Sequence, residues 1–134
     1  MANLVKVEGI GEAYAKKLAE AGISTTQALL EKGASPKGRK EIAEKTGISP
    51  KLILTWVNHV DLFRVSGIGE QYADLLEASG VDTVPELGQR NAANLYQKLI
   101  KVNQEKKLVR QLPSETQVKA WIEQAKQLPR KVTY

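Results

Sequence analysis

The sequence predicts an all-α protein built from one unit used twice, and three observations lead there. The stretch VKVEGIGEAYAKKLAEAGI returns as FRVSGIGEQYADLLEASGV after a shift of 58 positions. Apolar residues recur at helical spacing between glycines and Ser-Pro pairs of the kind that end and start helices. No stretch alternates with period two, as a half-buried strand would.

The shift sets Val7 on Val65 and Gly9-Ile10-Gly11-Glu12 on Gly67-Ile68-Gly69-Glu70. Tyr14 falls on Tyr72, Ala15 on Ala73, Leu18 on Leu76, Gly22 on Gly80, Thr25 on Thr83 and Leu29 on Leu87, eleven identities in the twenty-five pairs from Val5/Phe63 to Leu29/Leu87. Seven extra residues in the second half then bring Ser49 to Ser114 and Trp56 to Trp121. A repeat of this length marks one supersecondary unit present twice.

Helices are expected at about 12–21, 25–32, 36–46 and 50–64, then 70–79, 83–89, 92–108 and 115–127. Gly22, Gly33, Gly47 and Gly80 each follow an apolar-periodic stretch, where a left-handed C-terminal cap is wanted. Ser35-Pro36 and Ser49-Pro50 place a capping serine before a proline in the first turn, and Asn91 and Ser114 cap the later helices. The segment from Lys51 to Arg64, free of glycine and proline, carries apolar residues at 52, 53, 56, 57, 60 and 63, a core-facing stripe in the helix expected at 50–64. It is expected to close the first repeat (1–60) and to enter the second (61–134), joining both into one compact body with an approximate two-fold. Trp56 and Trp121 belong to the core on this reading, and Tyr14 and Tyr72 to core or lobe-contact positions.

The 134 residues carry a net charge of +5 and no cysteine, which excludes disulfides, thiolate metal sites and cysteine nucleophiles. MANLVKVEGI lacks the basic start and sustained apolar run of a signal peptide, and no segment reaches the roughly 20 apolar residues of a membrane span. A soluble, cytoplasmic protein with no membrane association is expected. The single histidine, His59, suits a surface or capping place, the carboxylates form no pair fit for acid–base work, and no phosphate loop ending in Gly-Lys-Ser/Thr is present. The chain is therefore expected to be no enzyme, with no metal, cofactor or small-molecule substrate.

Charge is unevenly spread. From Asp61 to Gly88 one base, Arg64, faces six acids, a local net of −5. Around the first Gly-Ile-Gly turn, Lys6, Lys16 and Lys17 balance Glu8, Glu12 and Glu20. Between Lys32 and Lys51 six bases, Arg39 among them, face two acids, and from Gln89 onward ten face three. Lys98 and Lys101 share a helix face, with Lys106, Lys107 and Arg110 a turn later. Tyr96 and Tyr134 alone lie near basic residues, too few aromatics for a single-strand stacking platform.

Both turns fit the pattern apolar-x-x-apolar-x-Gly-apolar-Gly-x-x-x-Ala-x-x-apolar: Leu4, Val7, Gly9, Ile10, Gly11, Ala15, Leu18, then Leu62, Val65, Gly67, Ile68, Gly69, Ala73, Leu76. This resembles the helix-hairpin-helix motif of recombinase N-terminal domains, DNA ligases, excision-repair nucleases and the C-terminal domain of the RNA polymerase alpha subunit. The whole chain, including EKKLVRQLPSETQVKAWIEQAKQLPR, is similar to a bacterial family catalogued as a domain of unknown function and numbered four-three-three-two. The resemblance implies two tandem helix-hairpin-helix repeats in a SAM-domain-like helical bundle, with glycines that permit unusual backbone angles and an isoleucine plugging two closely crossing helices. It brings no established activity.

In DNA-binding members of the wider group, the turn's N–H groups and the following helix start hold a phosphate, and such a turn's carbonyls can hold a monovalent cation. The resemblance implies the same use for Gly9, Ile10, Gly11, Gly67, Ile68 and Gly69. Those members commonly place lysine, proline or threonine after the second glycine, where this chain has Glu12 and Glu70. A carboxylate there favours its own helix through the dipole and repels a phosphate. The expected function is a non-enzymatic module holding DNA or RNA by its phosphate backbone without sequence specificity. The first turn, with Lys16 and Lys17, and the tract of Lys98, Lys101, Lys106, Lys107 and Arg110 would make the contacts, while the acidic second turn would make none. The alternative is a protein-interaction or scaffold module using the same fold.

Overall fold

Helix starts and stops follow the capping chemistry. The computed structural model describes residues 4–7 and 9–134. Among them a 3-10 turn spans Leu4–Lys6, and the α-helices are α1 (Glu12–Glu20), α2 (Thr26–Gly33), α3 (Pro36–Thr46), α4 (Pro50–Leu62), α5 (Glu70–Ala78), α6 (Val84–Gly88), α7 (Ala92–Lys106) and α8 (Glu115–Gln127). No β-strand occurs among the described residues, so the protein is all-α.

Thr25, Ser35, Thr83, Asn91 and Ser114 cap α2, α3, α6, α7 and α8 by accepting a backbone N–H in the first turn. The Ser49 hydroxyl does the same for α4 through Lys51. Such a cap contributes about 1 kcal/mol. At the C-termini, Gly22, Gly47 and Gly80 take positive φ angles of 86°, 74° and 92°, as expected. Gly33 does not. It is the last residue of α2, and a Cβ there would stand 2.6 Å from Val57 Cγ2, so its glycine serves close packing. Helix α4 also stops at Leu62, short of the expected 64, because the Val65 N–H turns back to the Leu62 carbonyl at 3.1 Å.

The chain divides into two compact units, Met1–Asp61 with Lys131–Tyr134, and Leu62–Arg130. In the first, Leu4, Val7, Ile10, Leu18, Ile23, Leu29, Ile53, Trp56, Val57 and Val60 build the core. Full burial of one such side chain contributes about 1.5–3 kcal/mol. Asn58, His59 and Asp61 are also buried, so the end of α4 is covered beyond its predicted stripe. This corrects the surface place expected for His59, which is 3% exposed. Residues 131–134 complete this unit: Val132 is buried, and the Thr133 N–H donates to the Ala34 carbonyl at 2.8 Å.

In the second unit α8 packs on α6 and α7, and α5 on α7. Leu62, Val65, Ile68, Leu76, Leu87, Leu95, Leu99, Val118 and Trp121 form its core. A Cβ on Gly88 would lie 3.3 Å from the Lys126 backbone nitrogen, which explains a glycine where α6 meets α8.

Candidate nucleic-acid interface

The two Gly-Ile-Gly turns have one geometry. Val7 N–H donates to Leu4 O and Ile10 N–H to Val7 O, both at 3.0 Å; Val65 to Leu62 and Ile68 to Val65 repeat this at 3.1 Å. Gly9 and Gly67 take φ of 88° and 91°, a conformation that L side chains rarely adopt. A Cβ on either would also sit 3.2 or 3.1 Å from an indole nitrogen, that of Trp56 or Trp121. Tyr14 and Tyr72 close the outer side of these indoles, with ring centroids 5.1 and 5.3 Å apart. Each turn thus stands on a tryptophan floor.

The second glycines behave differently from the expectation that both supply forbidden backbone angles. Gly11 and Gly69 have φ of −82° and −97°, open to any residue, and nothing lies within 4 Å of where a Cβ would be. Each is an N-cap that offers no side-chain acceptor, whereas the other six α-helices have one. The first N–H groups of a helix have no intrahelical partner, so α1 and α5 begin with backbone donors that no cap side chain satisfies. The helix dipole adds roughly half a positive charge there. Ile10 and Ile68 contribute no such donor: their side chains are buried and their N–H groups are spent on Val7 and Val65.

Lys16 and Lys17 are exposed on α1, with the Lys17 ammonium 6.0 Å from the Tyr14 ring centre. Lys98, Lys101 and Lys106 are exposed on α7, whose Leu95 and Leu99 are buried. Lys107 ends α7 in a left-handed conformation, φ 51°. Its helix is followed by a loop tied at Asn103, whose side chain accepts from the Val109 N–H at 3.0 Å and donates to the Val109 carbonyl at 3.1 Å. Tyr72 donates its hydroxyl to the Gln111 carbonyl at 3.1 Å. These ties bring Arg110 to a groove of about 430 Å³ lined also by Gly67, Gly69, Glu70, Gln71 and Tyr72. Arg110 therefore belongs with the second turn, and Lys106 and Lys107 do not line that groove. The loop lies in the stretch where the second half carries its extra residues, a signal of difference between the copies but not of where Arg110 ends up.

Several charges counted in the sequence are not free surface charges. Arg39 is 5% exposed and donates to the carbonyls of Gly33, Ala34 and Thr133 at 2.8, 3.1 and 2.6 Å. Burial pulls its pKa below the ordinary arginine value. Asp61 is buried as well. Lys32 donates to the Gly22 carbonyl at 3.2 Å, and Arg90, 58 positions on, donates to the Gly80 carbonyl at 3.0 Å and pairs with Glu86 at 2.7 Å. Both cations thus seal the C-terminus of the helix that follows a Gly-Ile-Gly turn. The Lys6 side chain and Glu8, part of the charge balance at the first turn, lie outside the described residues.

A helical protein with a recurring glycine turn, each copy seated on tryptophan and opening an uncapped helix, is the class these features define. The chain belongs to the family described as Domain of unknown function (DUF4332), whose model matches residues 8–128 and so takes in both turns. No curated protein and no solved structure matches it. No helix among the described residues is long and apolar enough to cross a membrane.

Proposed function

We propose that the chain is a non-enzymatic nucleic-acid-binding module made of two tandem helix-hairpin-helix units, in which a Gly-Ile-Gly turn and the following helix start hold a backbone phosphate. One observation carries this reading: among the described helices α1 and α5 alone begin at a glycine with no capping side chain, with open space at the missing Cβ. A phosphate oxygen fits that opening, and two or three N–H groups converge on it. Arg110 beside the second turn supplies the charge that the acidic sequence around α5 lacks, so this turn joins Gly9–Gly11 as a contact. Lys16 and Lys17 serve the first turn, and Lys98, Lys101, Lys106 and Lys107 act as a diffuse attraction along the backbone. Glu12 and Glu70 limit the affinity, which is therefore modest and steeply dependent on salt.

Fluorescence anisotropy against single- and double-stranded DNA and RNA at two salt concentrations tests this. The log of affinity should fall with log salt by about 0.9 per phosphate held on duplex DNA. Reversing Lys106, Lys107 and Arg110 should weaken binding, and Gly11→Ala or Gly69→Ala should weaken it with the circular-dichroism spectrum unchanged. No binding at low salt, or binding indifferent to salt, overturns the reading.

The exposed Glu12 and Glu70 at the same helix starts favour a second reading, a scaffold that docks a basic protein surface. Its signature is a defined protein partner that survives nuclease treatment during purification.

A further inference from the structure

The segment 131–134 makes every contact described for it with the first unit, although the chain reaches it only after traversing the second. It lies in a built cleft. Val132 is 3% exposed, the Thr133 N–H and hydroxyl both donate to the Ala34 carbonyl, and the Arg39 guanidinium caps the Thr133 carbonyl. The Tyr134 hydroxyl donates to Asn58 Oδ1 at 2.9 Å. Arg39 is the centre of this cleft. Its hydrogen bonds go to three backbone carbonyls, and Tyr134 of the segment acts on its charge as well. Such a guanidinium recognises peptide backbone, and it loses one of its three partners when the segment leaves.

The tether is short. The Pro129 carbonyl accepts from Arg64 within the second unit at 3.1 Å, and Val132 is already buried in the first. Arg130 and Lys131, both exposed, are all that lies between. A short hinge between a compact unit and a strap is an arrangement open to exchange between copies, because the same contacts form whether the strap is its own or a neighbour's.

We propose that the Arg39 cleft is a docking site for an extended Val-Thr-Tyr segment, and that a second copy of this chain supplies that segment in trans. The exchange is reciprocal, so a dimer holds two straps at once, and each strengthens the other through effective concentration. The chemistry recognised is one buried β-branched side chain, one backbone N–H and C=O pair, and one phenol hydroxyl.

The chain has no cysteine, so introduced thiols report without background. One full-length chain carries Ala34→Cys and another Thr133→Cys; the two are refolded together at high concentration and oxidised. The Thr133 N–H stands 2.8 Å from the Ala34 oxygen, so the two backbones are adjacent, and a single chain carrying both cysteines checks that the thiols can join. The expected result is a mixed covalent dimer in large excess over either homodimer, reduced to the random share when Arg39→Ala is added to the Ala34→Cys chain. Should Arg39→Ala unfold the first unit, Val132→Asp on the Thr133→Cys chain gives the same test from the strap side. A mixed dimer at the random share overturns the proposal. So does closure of the disulfide within single chains that carry both cysteines, if the mixture of single-cysteine chains stays unlinked.

Discussion

At the scale of single residues, the two glycines of each turn have separable jobs. Gly9→Ala and Gly67→Ala place a side chain at positive φ and against an indole, and each should cost about 1–3 kcal/mol in urea unfolding. Gly11→Ala and Gly69→Ala meet no atom and should cost less than about 1 kcal/mol, the scale of an N-cap preference. Lys107 is the one non-glycine residue with positive φ among those described. Lys107→Gly should raise the urea midpoint, a gain of about 0.5–1 kcal/mol. Asp82 titrates above the ordinary carboxylate range because of desolvation first, then of Glu86 and Glu77 nearby. In the window between the ordinary and the raised value the folded state holds more protons than the unfolded one, so stability declines as pH rises through it. Asp82→Asn should therefore raise the urea midpoint at neutral pH, and the difference from the parent should vanish below about pH 3, where both states are protonated.

Among the elements, much was legible because it is local. A cap, a glycine stop or a Ser-Pro start acts within a few residues, and the eight helices lie within two residues of the predicted ends. The repeat was legible too, but its meaning was not. Trp56 and Trp121 align only after the seven-residue break, while Gly9 and Gly67 align before it, and no spacing announces that each indole lies beneath the first glycine. Burial of Arg39, His59 and Asp61 was illegible for the same reason: a polar residue at helical spacing reads as a solvated face until another segment covers it. The position of Arg110 depends on the path of the loop after α7. Asn103→Ala removes both of its hydrogen bonds to Val109 and should cost about 1–3 kcal/mol. Amide exchange should quicken from Lys107 to Gln111 while the core of α7 keeps its protection.

Taken as a whole, the molecule keeps one indole in each unit, which makes the units separately observable. Deleting residues 131–134 removes the burial of Val132 and the carbonyl partner of Arg39 from the first unit only. In a Trp121→Phe background, the Trp56 emission should then unfold at lower urea. In a Trp56→Phe background, the Trp121 emission should keep its midpoint in the deleted chain.

Chain order gives residues 131–134 one more consequence. A ribosome finishes the second unit before it makes the four residues that the first one lacks, so the unit begun earliest is completed last. Throughout that interval Arg39 waits without the Thr133 carbonyl, and a neighbouring polypeptide on the same message can reach the vacancy first.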